Sequence, residues 1–121
     1  MTNENVYEKK LIDLYYYSIG DGNFIKALEK YCNGQGFGNE HIWCLFASEL
    51  EEWEEGYFGE DGVCFFFDRP AVDEDVTVVL NYSSFYVYLK EASKVYLLKH
   101  SDDKDVIESR LYAIKRKFKI V

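Results

Sequence analysis

Hydrophobic residues in the first quarter of the chain recur every three to four positions, the period of an amphipathic helix. The pattern predicts one helix over residues 5–18 and a second from about residue 23 to 32. Residues 20–22 (GDG) separate the two, and Asn33-Gly34 is suited to end the second helix before a glycine-rich loop. The residues expected on the buried faces are Val6, Leu11, Leu14, Tyr15 and Ser18 in the first helix and Phe24, Ala27, Leu28 and Tyr31 in the second.

The centre of the chain changes to patterns that are typical of strands. Residues 62–67 (GVCFFF) are predicted to form a buried strand, and residues 76–80 (VTVVL) a second strand. Residues 41–55 fit two interpretations, because their hydrophobic positions alternate like a strand while their glutamates and overall spacing also suit a helix. We favour a strand at the start of this stretch.

Two more helices are expected in the last third. Ser83 and Ser84 offer N-caps for a helix over residues 84–99, and a final helix is predicted to start near Asp102 and to end in basic residues that suit the helix dipole. The expected buried faces are Phe85, Tyr88, Leu89, Ala92, Val95 and Tyr96, followed by Ile107, Leu111, Ile114 and Phe118.

The order of helices, then strands, then helices predicts an α+β fold. Short connections between the strands favour a small antiparallel β-sheet flanked by N-terminal and C-terminal α-helices. With 121 residues, of which 48% are hydrophobic and 18% aromatic, we expect a single domain spanning residues 1–121. The three cysteines form no C-x-x-C motif, and neither a signal peptide nor a membrane span is apparent, so we expect a cytoplasmic protein with free, buried thiols.

Negative charge is concentrated in one segment. The chain has a formal net charge of −8, yet residues 49–75 contain eleven acids and a single base, Arg69. Trp53, Tyr57 and Phe58 are interleaved with these acids. Such a mixture suits a docking surface for a basic partner, because carboxylates speed the encounter and aromatic side chains anchor the complex. Alternatively, Trp53 and Phe58 belong to the core and the acids only solvate its rim.

Motifs for catalysis or cofactor binding are absent from the sequence. His41 and His100 are isolated, and no H-x-x-x-H, G-x-S-x-G or P-loop pattern occurs. We therefore expect no enzymatic activity, no cofactor and no metal. Nucleic acid is not expected to bind directly, because the acidic segment would repel phosphates, and the basic residues near the C-terminus suit a helix end.

The stretch ELEEWEEGYFGEDGVCFFF, residues 49–67, resembles the immunity proteins of bacterial contact-dependent growth inhibition (CDI), specifically the CdiI family that neutralises ribonuclease toxins. The similar features are the acidic segment around Trp53, the Y-F-G-E turn, the G-V-x-F strand and the F-Y-x-Y-L helix segment at residues 85–89. The resemblance extends in order over about residues 42–118.

The resemblance implies a non-catalytic inhibitor that binds the basic C-terminal ribonuclease domain of a cognate toxin and blocks its RNA cleft, with a monomer in a 1:1 complex favoured. Two alternatives stay open: an acidic adaptor for another basic protein, and a small hydrolase that uses carboxylates. We nominate the following residues for partner binding: Glu51, Glu52, Trp53, Glu54, Glu55, Tyr57, Phe58, Glu60, Asp61, Asp68, Asp73, Glu74 and Asp75.

Overall fold

The computed structural model describes residues 2–120, with side chains from residue 6 onward, so Met1 and Val121 of the predicted domain lie outside the described residues. The described chain folds into four α-helices and three β-strands, joined in part by short 3₁₀ turns. Their bounds are α1 (Thr2–Ile19), α2 (Phe24–Cys32), β1 (Ile42–Phe46), β2 (Val63–Phe67), β3 (Val76–Leu80), α3 (Tyr82–Lys99) and α4 (Lys104–Lys117).

The strands form one antiparallel sheet in the order β1-β2-β3, which confirms the predicted α+β class. Phe46 pairs with Val63 at one end of β1, and Ile42 pairs with Phe67 at the other. The ambiguous stretch is a strand only over Ile42–Phe46, followed by a 3₁₀ turn and then by turns and bends, so its helical interpretation is wrong.

Capping interactions stabilise the end of α2 and the start of α3, and the sequence predicts the capping residues of α2 only. At the end of α2 the Gly34 N–H donates to Tyr31 and the Gln35 N–H to Lys30, a Schellman motif with Gly34 at φ 70°. The predicted N-caps of α3, Ser83 and Ser84, are wrong. Asn81 caps this helix instead, because its side-chain oxygen accepts the Ser84 N–H at 2.8 Å.

Aromatic side chains dominate the core between the helices and one face of the sheet. Phe85 of α3 meets Tyr31, Phe46 and Phe65 at centroid distances of 5.3, 5.4 and 6.2 Å. Tyr15 of α1 contacts Phe65 edge-on at 4.9 Å. Each of these five rings is fully buried, so the core joins the first two helices, the sheet and α3 into one unit.

Two predicted core positions are wrong. Val6 is 52% exposed. It lies nine residues before the buried Tyr15, and this spacing places Val6 on the opposite side of the helix. Val95 is 64% exposed, and Ser93 is buried in its place on α3. Ser93 tolerates burial because its hydroxyl donates to the Leu89 carbonyl at 2.8 Å.

Candidate partner-binding surface

The acidic segment forms two separate loops at opposite ends of the sheet. Residues 50–62, the β1–β2 loop, contain six acids and no base, and residues 68–75, the β2–β3 loop, contain four acids and Arg69. Backbone hydrogen bonds hold the two ends: the Ala47 N–H donates to Gly62, and the Asp68 N–H donates to His41. Since β2 has five residues of about 3.4 Å each, roughly 17 Å of strand separates the loops.

The β1–β2 loop carries most of the nominated side chains. Trp53 is 81% exposed, so the interpretation that places it in the core is wrong. Tyr57 and Phe58 are half-buried and lie outside the core cluster. Glu51, Glu52, Glu54, Glu55, Glu60 and Asp61 are all exposed.

Two carboxylates beside or within this loop have structural hydrogen bonds. Glu49 Oε1 accepts the Gly36 N–H at 2.9 Å and the Phe46 N–H at 2.8 Å. It therefore ties the end of β1 to the glycine-rich loop that runs along the edge of that strand. Glu54 Oε1 accepts the Glu51 N–H at 3.0 Å and so stabilises the turn that presents Trp53.

A hydrogen bond to one of its own acids stabilises the β2–β3 loop. Asp75 Oδ1 accepts the Arg69 N–H at 2.8 Å, which closes the loop across its base. Asp73 and Glu74 are exposed at its tip, whereas Asp68 is half-buried next to the strand end. The loop therefore presents exposed carboxylates beyond a base that is closed by a hydrogen bond.

The electrostatics of the β1–β2 loop act on Tyr57. Partial burial and then the charges of Glu52 and Glu60 raise the pKa of its phenol. The charges of two loop glutamates therefore act on one of the loop's aromatic side chains.

Between the two loops lies a feature that the sequence interpretation missed: the sheet face that points away from the helices. The Trp43 and Phe66 rings stack across β1 and β2 at 5.0 Å with an interplanar angle of 9°. Neither ring belongs to the core cluster, and both are half-buried. We call this the outer sheet face, and it consists of Trp43, Leu45, Cys64, Phe66, Thr77 and Val79. The sequence did contain a signal for this face. Residues 62–67 (GVCFFF) are apolar at both odd and even positions, and successive side chains of a strand point to opposite faces, so both faces of β2 had to be apolar.

Two polar pairs outside the acidic loops join residues that are remote in sequence. His100 Nε2 lies 3.0 Å from Asp21 Oδ2, and Arg110 pairs with Glu29 at 3.4 Å. In the described part of the chain, no three His, Cys, Asp or Glu residues are placed to hold a metal ion. Within residues 2–120 no helix combines the length and apolar character needed to cross a membrane.

All three cysteines are free thiols, as predicted. Cys44 and Cys64 are buried, while Cys32 is half-buried and its thiol donates to the Arg110 carbonyl. Burial raises the pKa of the Cys44 thiol to about 11, and a hydrogen-bond contact of 3.4 Å links it to Tyr15. A protonated thiol at this position is a small core side chain rather than a nucleophile.

The described chain is thus a small α+β scaffold with two exposed acidic loops, one of which also carries aromatic side chains. Comparison with family models identifies the kind of protein: the model described as CDI immunity protein (CdiI_4) matches residues 8–111. The chain belongs to this family and is therefore an immunity protein against a CDI toxin. A search of curated proteins gives no match.

Proposed function

We propose that this immunity protein neutralises a cognate CDI toxin whose C-terminal domain is a ribonuclease, and that it does so in the cytoplasm as a monomer in a 1:1 complex. In this proposal, the acidic loops bind the cationic cleft in which the ribonuclease holds RNA. The protein catalyses nothing, and its effect is to exclude the substrate.

The observation that carries this proposal is the charge of the β1–β2 loop, with six exposed acids, no base and an exposed Trp53. A ribonuclease must present positive charge to hold phosphates, so a carboxylate-rich loop is complementary to its cleft. Complementary charge accelerates association, and an exposed aromatic side chain contributes to the lifetime of the complex.

The fixed conformation of the loop also supports the proposal. The Glu51 N–H donates to the Glu54 side chain and the Tyr57 N–H to the Glu54 carbonyl, so residues 51–57 of the loop are ordered before any partner arrives. A preformed loop loses less conformational entropy on binding than a flexible one, which favours tight association.

The test uses the toxin domain that we expect to be encoded just upstream, because an immunity gene should lie beside that of its toxin. We expect the two proteins to co-purify as a 1:1 complex and RNA cleavage to fall to background once this protein is equimolar with the toxin. Undiminished RNA cleavage at an excess of this protein would contradict the ribonuclease part of the proposal. A bovine serum albumin control at equal concentration accounts for non-specific protection.

The same binding test separates immunity from an adaptor function, and the burial of the carboxylates bears on the hydrolase alternative. An adaptor for another basic protein should leave the upstream toxin active and unbound, whereas an immunity protein should bind it. A carboxylate-dependent hydrolase requires an acid in a low-dielectric pocket. Of the nominated carboxylates only Asp68 is even half-buried, which does not favour that chemistry.

A further inference from the structure

We infer that the outer sheet face is the centre of the toxin-binding surface and that the two acidic loops form its charged rim. The inference rests on the proposed function and adds to it the part of the fold that the toxin must cover. The occupant is a basic surface of the toxin with an apolar patch at its middle.

The geometry of the loops leads to this conclusion. They lie at opposite ends of the sheet, so one partner that contacts both must span the strands between them. The inner face is not available, because Phe46, Phe65 and Phe85 fill it. The outer sheet face is the surface that connects the loops.

The chemistry of this face agrees with its position. It carries no charged residue, and its stacked pair, Trp43 and Phe66, presents two aromatic rings side by side. Val79 on the edge strand is 53% exposed. Interfaces are commonly apolar and aromatic at their centre and polar at their rim, and tryptophan is enriched among the residues that contribute most to affinity.

Area and charge both favour a basic partner over a second copy of this chain. Three strands about 4.8 Å apart and five residues long cover roughly 240 Å², well below the roughly 800 Å² per partner of a stable interface. The face therefore needs the loops to complete an interface. Two copies with a formal net charge of −8 each would bring like charges together, whereas a basic partner is attracted by the same loops.

The test compares two matched valine-to-arginine variants. Val79→Arg places a long cation on the outer sheet face, and Val87→Arg makes the same change on α3, where the native valine is 54% exposed. We expect Val79→Arg to weaken toxin binding by at least tenfold in calorimetry or surface plasmon resonance. The Val87→Arg variant should stay within about threefold of the wild type. Circular dichroism melts verify that both variants are folded.

A second measurement uses the unaltered face. The chain has two tryptophans, so wild-type protein labelled with fluorotryptophan gives two ¹⁹F resonances, and the free Trp53→Phe variant serves only to identify the one that belongs to Trp43. Saturating unlabelled toxin should shift the Trp43 resonance, and it should do so even if Val79→Arg proves unstable.

The outcomes separate the inference from the proposed function. If wild-type protein does not bind the toxin, both are overturned. If it binds while Val79→Arg binds equally well and the Trp43 resonance stays unchanged, the inference alone is overturned. Sedimentation showing that the free wild-type protein dimerises and that Val79→Arg is monomeric would assign the face to a second copy and also overturn it.

Discussion

The hydrogen bonds indicate that Glu49 stabilises the fold, whereas other acids of residues 49–75 are free to bind a partner. Substitution of Glu49 tests this difference. The prediction concerns Glu49→Ala, compared with Glu52→Ala in the same acidic segment. Glu49 accepts two backbone N–H groups, from Gly36 and Phe46, at 2.9 and 2.8 Å. For Glu52, the described part of the chain provides no hydrogen-bond partner.

The expected magnitude follows from these two bonds. A hydrogen bond to a charged group contributes about 1.5–3 kcal/mol when it is shielded from water. The Glu49 side chain is exposed, and water can partly replace it at both donors, so we expect a total loss of about 1–2 kcal/mol in the free energy of unfolding. For a domain of this size that corresponds to a fall in Tm of roughly 3–8 °C.

Urea denaturation followed by circular dichroism measures this difference. Glu52→Ala should stay within about 0.5 kcal/mol of the wild type, as expected for a surface substitution. Glu49→Gln keeps an oxygen acceptor and should lie between the two. Equal stability of Glu49→Ala and Glu52→Ala would refute the structural role of Glu49.

Three further predictions follow from charge, backbone conformation and tyrosine burial. Reversal of Glu51, Glu52 and Glu55 to lysine, with the turn-forming Glu54 retained, should slow toxin association at least tenfold at low salt in stopped-flow fluorescence. The effect should shrink at 0.5 M salt, and a salt-independent loss would indicate a folding defect. Lys119 follows the C-cap of α4 at φ 55°, a conformation that favours glycine, so Lys119→Gly should raise the free energy of unfolding by about 0.5–1 kcal/mol in urea titrations; a loss of stability would contradict this. Burial raises the pKa of Tyr15 and Tyr31 well above 10, and a hydrogen bond to Asp103 followed by burial raises that of Tyr96 to about 12. The unfolded chain then loses these protons first, so stability should be intact below about pH 10 and fall as the pH rises above it. The part of the absorbance change at 295 nm that belongs to these three phenols, identified with Tyr→Phe variants, should accompany the change in circular dichroism, and titration of the three phenols near pH 10 in a folded protein would contradict the assignment.

The fold was largely predictable because its elements depend on local patterns. The strand over residues 62–67 combines β-branched and aromatic residues with a preceding glycine, and the helix that contains Phe85 and Leu89 follows the helical period. Errors arose where tertiary packing overrides the local pattern. Ser93 is buried because the Leu89 carbonyl accepts its hydroxyl proton, a contact that the hydrophobicity pattern of this helix does not reveal.

The candidate surface was predictable in composition but not in arrangement. The sequence shows that residues 49–75 are acidic, yet only the strand pairing reveals that β2 divides them into two loops. Likewise, the spacing of Glu49 is no different from that of its neighbours, and its structural role depends on Gly36, thirteen residues away. Trp43 was outside the predicted site because its partner Phe66 is remote in sequence.

The most direct test of the central claim is a titration of the upstream toxin's RNA cleavage with purified immunity protein. The account predicts that cleavage falls linearly and reaches background at one equivalent, with the wild type and Val87→Arg indistinguishable. Persistent cleavage at a tenfold excess of folded wild-type protein would contradict it.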